Sequence, residues 1–233
     1  MFRTILMAIC VLLLLPDTAR SAEVAFGNVL PNGTVYRGQV ESMHERRFRN
    51  LVRQHTDYSC GAAALATILR HAYHLDADEA TVIEGMMGVA DTDLVRQRGF
   101  SLLDIKRYVE SLGMRGRGYR ISEERLKALR VPGLVLMDVR GFRHFVVLKQ
   151  VHDDYAEIGD PILGNRSVPL KEFLDAWPSR AVFVVIGSDF DRNTVLLQPS
   201  ERPSARALYA RQGARPITDA ELVDFGFTHA DLF

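Results

Sequence analysis

The chain has 233 residues, 47% of them apolar and 25% charged, an ordinary globular composition that excludes a disordered tail or a collagen and leaves room for one large domain or two small ones. Its 29 Lys plus Arg balance 29 Asp plus Glu, which excludes a basic footprint as the main reason for binding nucleic acid or an anionic membrane. Two cysteines can build neither a disulfide-dense scaffold nor, alone, a four-cysteine zinc site.

Residues 1–22 read as an export signal: Arg3 supplies the positive start, Ile5 to Leu15 is an uninterrupted apolar run, and Pro16 and Asp17 end it. A membrane-crossing helix wants about 20 apolar residues, so the run is too short to span. Cleavage after Ser21 or Ala22 is expected to release the mature chain into the periplasm of a double-membraned bacterium, with no stable membrane insertion. Cys10 leaves with the signal. It lies inside the apolar run rather than just after it, which argues against a lipoprotein anchor. Cys60 is then the remaining cysteine, and a lone cysteine in an exported protein is either a buried small hydrophobe or a working thiol.

Three stretches make up the rest. Residues 23–40 carry the turn Pro31-Asn32-Gly33 between short apolar pieces and read as an N-terminal arm or hairpin. Residues 41–187 read as one compact unit. Residues 188–233 form a C-terminal extension, with breakers from Pro199 to Ser204 and weak helical patterns near Ala205 to Gln212 and Asp219 to Asp224.

In the compact unit helices come first. Ser59 is placed to cap a helix from Cys60 to about His74, whose run of alanines, leucines and Ile68 leaves almost no polar face and so belongs in the interior. Asp78 to Met87 predicts a second helix, and Ser101 with Asp104 a capping box for a third that ends at Gly113. Gly113 to Gly118, interleaved with Arg115 and Arg117, reads as a flexible loop, and a short helix follows Ser122. Strands are expected over Leu134 to Val139, His144 to Val151, Tyr155 to Gly159 and Ala181 to Ile186, with a helix near Leu170 to Trp177. Segregated helices and a largely antiparallel sheet define an α+β fold.

A thiol at a helix N-terminus faces unpaired N–H groups and roughly half a positive charge, which bias it toward thiolate. As a nucleophile it needs a base that takes its proton and a third group that orients the base. A hairpin turning around His152 and Asp153 sets 144 opposite 160, 146 opposite 158 and 148 opposite 156. Period-two alternation then puts His144 and Asp160 at the open end of an otherwise apolar face, while the competing carboxylates Asp153 and Asp154 fall in the turn. Gln54, six residues before Cys60, can join the Cys60 backbone N–H in stabilising an oxyanion, although loop glutamines are usually just solvated.

Arg53-Gln54-His55-Thr56-Asp57-Tyr58-Ser59-Cys60-Gly61-Ala62-Ala63-Ala64, Gly141-Phe142-Arg143-His144-Phe145-Val146-Val147-Leu148 and Ile158-Gly159-Asp160-Pro161, in that order, resemble the motifs of the bacteriocin-processing (double-glycine leader type) papain-like cysteine peptidases. The likeness runs from about Val52 to Ile186 and includes Gly99 to Asp104 and the helix end Phe173 to Trp177. It implies a papain-like fold with Cys60 as nucleophile, His144 as base, Asp160 as orienting acid and Gln54 as oxyanion donor, and it calls for no metal or organic cofactor. Members fused to ABC exporters work on the cytoplasmic side, whereas a signal without transporter domains is similar to the stand-alone exported members, among them the peptidase of a functional-amyloid export system. The implied partner is a polypeptide substrate, an exported amyloid or secretion component.

Other features read more simply. His71 and His74, three apart, are a helix-end pair rather than zinc ligands. Arg46, Arg47, Arg49 and Arg53, with Glu41 and Glu45 beside them, read as a solvated helix face, with docking of an acidic partner as the alternative. Trp177 reads as a core anchor that ends its helix. The expected function is an exported Cys-His-Asp endopeptidase acting on another exported protein. The competing readings are a non-catalytic binding module of the same fold and a thiol amidase or acyltransferase.

Overall fold

A computed structural model describes residues 22–26, 36–40, 42–139 and 141–198. The expected signal run and the two C-terminal helical patterns lie outside these residues. The chain divides into two units, residues 1–197 and 198–233, and the description below concerns the first. No helix among the described residues is long and apolar enough to cross a membrane.

Strands β1 (Ala22–Phe26) and β2 (Tyr36–Val40) pair antiparallel. A short helix α1 (Met43–Arg47) follows, closed by a capping box between Ser42 and Glu45. Four helices come next: α2 (Cys60–Tyr73), α3 (Glu79–Met87), α4 (Thr92–Arg98) and α5 (Leu102–Ser111). Ser101 caps α5 in the expected reciprocal box, and Asp78 with Thr81 forms a second such box on α3. β3 (Arg115–Arg120), α6 (Glu123–Lys127), β4 (Gly133–Val139), β5 (Phe142–Val151), β6 (Tyr155–Asp160), β7 (Gly164–Pro169), α7 (Leu170–Asp175) and β8 (Ala181–Ile186) complete the order, with one 3₁₀ turn at Val195–Leu197.

The six strands β3-β8-β4-β5-β6-β7 form one antiparallel sheet, giving the α+β fold expected from the sequence. Alternation divides its side chains between two cores. Leu134, Phe145, Val147, Phe183 and Val185 pack under α2, α3 and α5 on one face. Val135, Met137, Val146, Leu148, Ile158, Val182 and Val184 meet Leu126 of α6, Phe173 of α7 and Trp177 on the other. α2 is buried nearly all round, as its alanine-rich sequence demands, and sits against β5. Gly61 permits that approach: a Cβ there would stand 3.2 Å from the Phe145 ring and 3.3 Å from Ile105.

The structure corrects three expectations. Gly113 to Gly118 is not a flexible loop, because Arg115–Arg120 is an edge strand paired along β8. Its single buried residue is Gly116, whose missing side chain leaves the space occupied by the Phe183 ring, so no apolar alternation marks the strand. Ser59 precedes α2 but does not cap it; its hydroxyl turns instead to Glu79. The hairpin register differs by two residues, with Leu148 opposite Ile158 and Val147 opposite Gly159, and a bulge between Leu148 and Gln150 brings Val151 opposite Ala156. His152 N–H then closes the turn on the Tyr155 carbonyl. A two-residue shift preserves parity, so His144 and Asp160 keep a common face. The C-terminal extension is packed at its start: Leu196 and Thr194 are buried, and Thr194 Oγ1 donates to the His71 carbonyl at 2.6 Å.

Candidate active site

The site forms where the N-terminus of α2 meets one end of β5 and the β6–β7 turn. Cys60 opens α2 and is partly buried against the helical core. Its thiol interacts with the His144 ring and with the Phe145 backbone N–H. Burial pushes the thiol up, but those two hydrogen bonds, the histidine charge and the Gly61 N–H outweigh it, and the net shift is downward.

His144, buried on β5, donates from Nε2 to Asp160 Oδ1 at 2.9 Å. A carboxylate only accepts, so this bond assigns a proton to Nε2 and leaves Nδ1 for the thiol. Nδ1 is itself buried and meets no nitrogen or oxygen partner among the described residues, so the thiol is the group it faces. Burial would lower the histidine pKa; the hydrogen bonds and charges of Asp160 and Cys60 reverse this and push it up to about 9. A lowered thiol beside a raised imidazole favours the thiolate–imidazolium pair over two neutral groups. The exposed ring of Phe142 stacks on His144 with centroids 5.9 Å apart.

The Asp160-Pro161 motif has a local reason. Pro161 starts the turn that joins β6 to β7, where Asp160 pairs with Gly164. Asp160 Oδ1 accepts from the Ile162 and Leu163 N–H groups at 2.9 and 3.0 Å as well as from His144. Burial raises this carboxyl, but the His144 bond and the turn amides hold it below its ordinary value, so it stays anionic. The Pro161 carbonyl does a second job by accepting the Gln54 backbone N–H at 2.9 Å. One turn thereby fixes both Asp160 and the segment that leads to Cys60.

Gln54 lies in the same cavity as Cys60. Its Nε2 donates to the Thr56 carbonyl at 2.8 Å, which settles the amide orientation and leaves one Nε2 hydrogen free to point elsewhere. The cavity is open, about 780 Å³, and is lined also by Tyr58, Phe142, His144 and Ile162, with Arg98, Arg143 and Asp57 at hand. Such a mixed, open cleft suits an extended polypeptide segment.

All four expected site residues are therefore brought together. Asp153 and Asp154 are not; they occupy the turn at the far end of the β5–β6 hairpin, where Asp153 lies 3.6 Å from Lys127. His71 and His74 do not converge with other ligands: His74 is the left-handed residue that ends α2, 3.3 Å from Asp191, and no cluster of three or more potential metal ligands occurs among the described residues. The Pro161 carbonyl and the Thr56–Glu79 contacts escaped sequence reading because backbone acceptors and long-range partners leave no local signal.

Residues 49–189 match the peptidase C39 family profile. A Pseudomonas fluorescens protein named "Probable functional amyloid protease FapD" is 48% identical over 225 residues, spanning 97% of this chain and 98% of its own length. A Pseudomonas aeruginosa protein of the same name is 48% identical over 231 residues, spanning 99% of this chain and 100% of its own. The crystal structure of the peptidase domain of Streptococcus ComA, a bifunctional ABC transporter involved in quorum sensing, superposes with a TM-score of 0.51 at 20% identity, covering 59% of this chain and 98% of that domain, a likeness of fold. With the family profile matched over more than half its length and two relatives aligned almost end to end, this chain belongs to the peptidase C39 family and is a cysteine peptidase.

Proposed function

We propose that the chain is an exported endopeptidase that works in the periplasm, cutting an exposed segment of another exported polypeptide within a functional-amyloid export system. The bridge from Cys60 through His144 to Asp160, opening into one cleft with Gln54, is the observation that carries the chemistry. The amyloid context is supported by the names of the near-full-length Pseudomonas relatives, and the periplasmic location by the signal pattern of residues 1–22.

In the first step the Cys60 thiolate attacks the scissile carbonyl carbon, and the carbonyl π electrons move to oxygen. The oxyanion is met by the Gln54 amide and by the Cys60 N–H, one of the first-turn donors that have no helical partner. As the C–N bond breaks, His144 gives its proton to the leaving amine. Water then attacks the thioester, His144 takes the water proton, and collapse releases the acid with the Cys60 thiolate restored. Asp160 stays ionised and holds the imidazole throughout.

Mass spectrometry of periplasmic peptides from cells carrying the parent or Cys60→Ala tests the reading. A cleaved fragment of an exported amyloid or secretion component should be present with the parent and absent with the variant. Identical peptide sets in the two strains would overturn it.

A further inference from the structure

Glu79 plays no part in the steps above, yet its carboxylate is buried and collects hydrogen bonds from the segment that leads into Cys60. The His55 N–H donates at 2.9 Å and its ring Nδ1 lies at 2.9 Å. The Thr56 N–H and hydroxyl each donate at 3.1 Å, and the Ser59 hydroxyl lies at 2.5 Å. Burial raises this carboxyl, but the Ser59, His55 and Thr56 bonds bring its pKa below the ordinary value, so it is an anion near neutrality. An ionised carboxylate is acceptor-only, and here it takes donors from three residues of one short turn.

What the turn holds is the site itself. The Thr56 carbonyl accepts Gln54 Nε2 at 2.8 Å and lies 2.6 Å from the Ser59 hydroxyl. Tyr58, between Thr56 and Ser59, has a left-handed backbone with φ of 63°, a conformation a tyrosine keeps only where its surroundings impose it. Glu79 opens α3, a packed helix whose Asp78 cap fixes its first turn, so the carboxylate is presented from a rigid element. We propose that Glu79 is a positioning residue for the oxyanion donor: it fixes the Thr56 peptide, and the Thr56 carbonyl fixes the Gln54 amide beside Cys60. It touches neither substrate nor the reacting sulfur, and it acts only through Gln54. The inference rests on the proposed role of Gln54.

The test is a double-substitution cycle on the full chain, with peptide cleavage, Cys60 alkylation by iodoacetamide and thermal unfolding read for each variant. Glu79→Gln keeps size but replaces an acceptor oxygen by a donor amide. It should lower kcat roughly 10- to 10²-fold by misplacing the donor while KM and the Cys60 alkylation rate stay within about twofold. In a Gln54→Ala background the same substitution should cost less than about threefold, because the group it positions is gone. Multiplied losses in the two backgrounds, or an unchanged kcat for Glu79→Gln, would overturn the assignment. If Gln54→Ala alone cleaves like the parent, the oxyanion reading fails first, which separates the two failures. Should Glu79→Gln not fold, Thr56→Val removes one donor from the same carboxylate and is read in its place: a loss of kcat that disappears in the Gln54→Ala background supports the positioning role, and one that multiplies refutes it.

Discussion

Cys60 and His144 set opposite limits on pH. Cleavage needs the thiolate, whose pKa is drawn down, and the imidazolium proton, whose pKa is pushed up to about 9. Activity should therefore persist below the His144 value and decline as pH rises through about 9. The Asp160 hydrogen bond and charge raise that value, so Asp160→Asn should move the alkaline limb of kcat/KM to lower pH while the fold is retained; a limb that stays in place would detach Asp160 from His144. Iodoacetamide should label native Cys60 faster at pH 6 than an ordinary thiol, and His144→Ala should slow it; labelling only after denaturation would make Cys60 a structural residue. Gln54→Ala should leave the labelling rate nearly intact yet cost roughly 10² to 10³ in turnover, the usual loss for one oxyanion donor. Equal cleavage by Gln54→Ala and the parent would remove it from the site.

At the scale of elements, glycine has opposite consequences in two places. Gly61 lets α2 seat on β5 and lies directly after the nucleophile, whereas Gly116 lets β3 cross the Phe183 ring, neither of them lining the cleft. A Cβ at Gly116 would stand 2.5 Å from Phe183 Cζ and 3.3 Å from the Lys106 backbone. Gly116→Val should therefore destabilise by about 1–3 kcal/mol through overpacking, seen as a fall in Tm, with kcat at low temperature preserved. An unchanged Tm would mean that β3 shifts freely on β8. The β5–β6 hairpin shows how an element can be misread in register and still deliver its chemistry. The bulge after Leu148 absorbs the extra residue on the turn side, and the end that carries His144 retains its face.

The first unit behaves as a sheet covered on both faces, and its last layer is supplied late in the chain. Phe190 packs on the Tyr73 ring, the Asp191 N–H donates to the Ala72 carbonyl at 2.8 Å, and Leu196 is fully buried among α2 side chains. A chain ending at Arg192 loses Thr194 and Leu196, so it should be destabilised by about 2–5 kcal/mol, the range for removing a buried leucine. A chain ending at Gln198 should unfold with the cooperativity of the full-length protein, since the first unit closes at Leu197. Denaturant titration compares the two; equal midpoints would show that Leu196 adds nothing to the core.

Read alone, the order of residues determined the α+β class, the interior helix from Cys60, the helix from Asp78, the capping box at Ser101 and the four residues that converge at the site. Each of these rests on short-range pattern: 3.6-residue or two-residue periodicity, a capping pair three residues apart, or a motif read intact. Tertiary structure decided what those patterns cannot encode. Whether Arg115–Arg120 is a strand depends on Phe183 filling the space over Gly116. The hydroxyl of Ser59 could cap its own helix or reach Glu79, and the buried carboxylate, twenty residues on, wins because an ionised acceptor makes the stronger, charge-assisted bond. The alignment of Gln54 is settled likewise, by the Pro161 carbonyl from a turn more than a hundred residues away and by Thr56, itself held on Glu79. Hydrogen bonds between distant segments follow from how the layers pack, and only the folded chain brings those groups within reach.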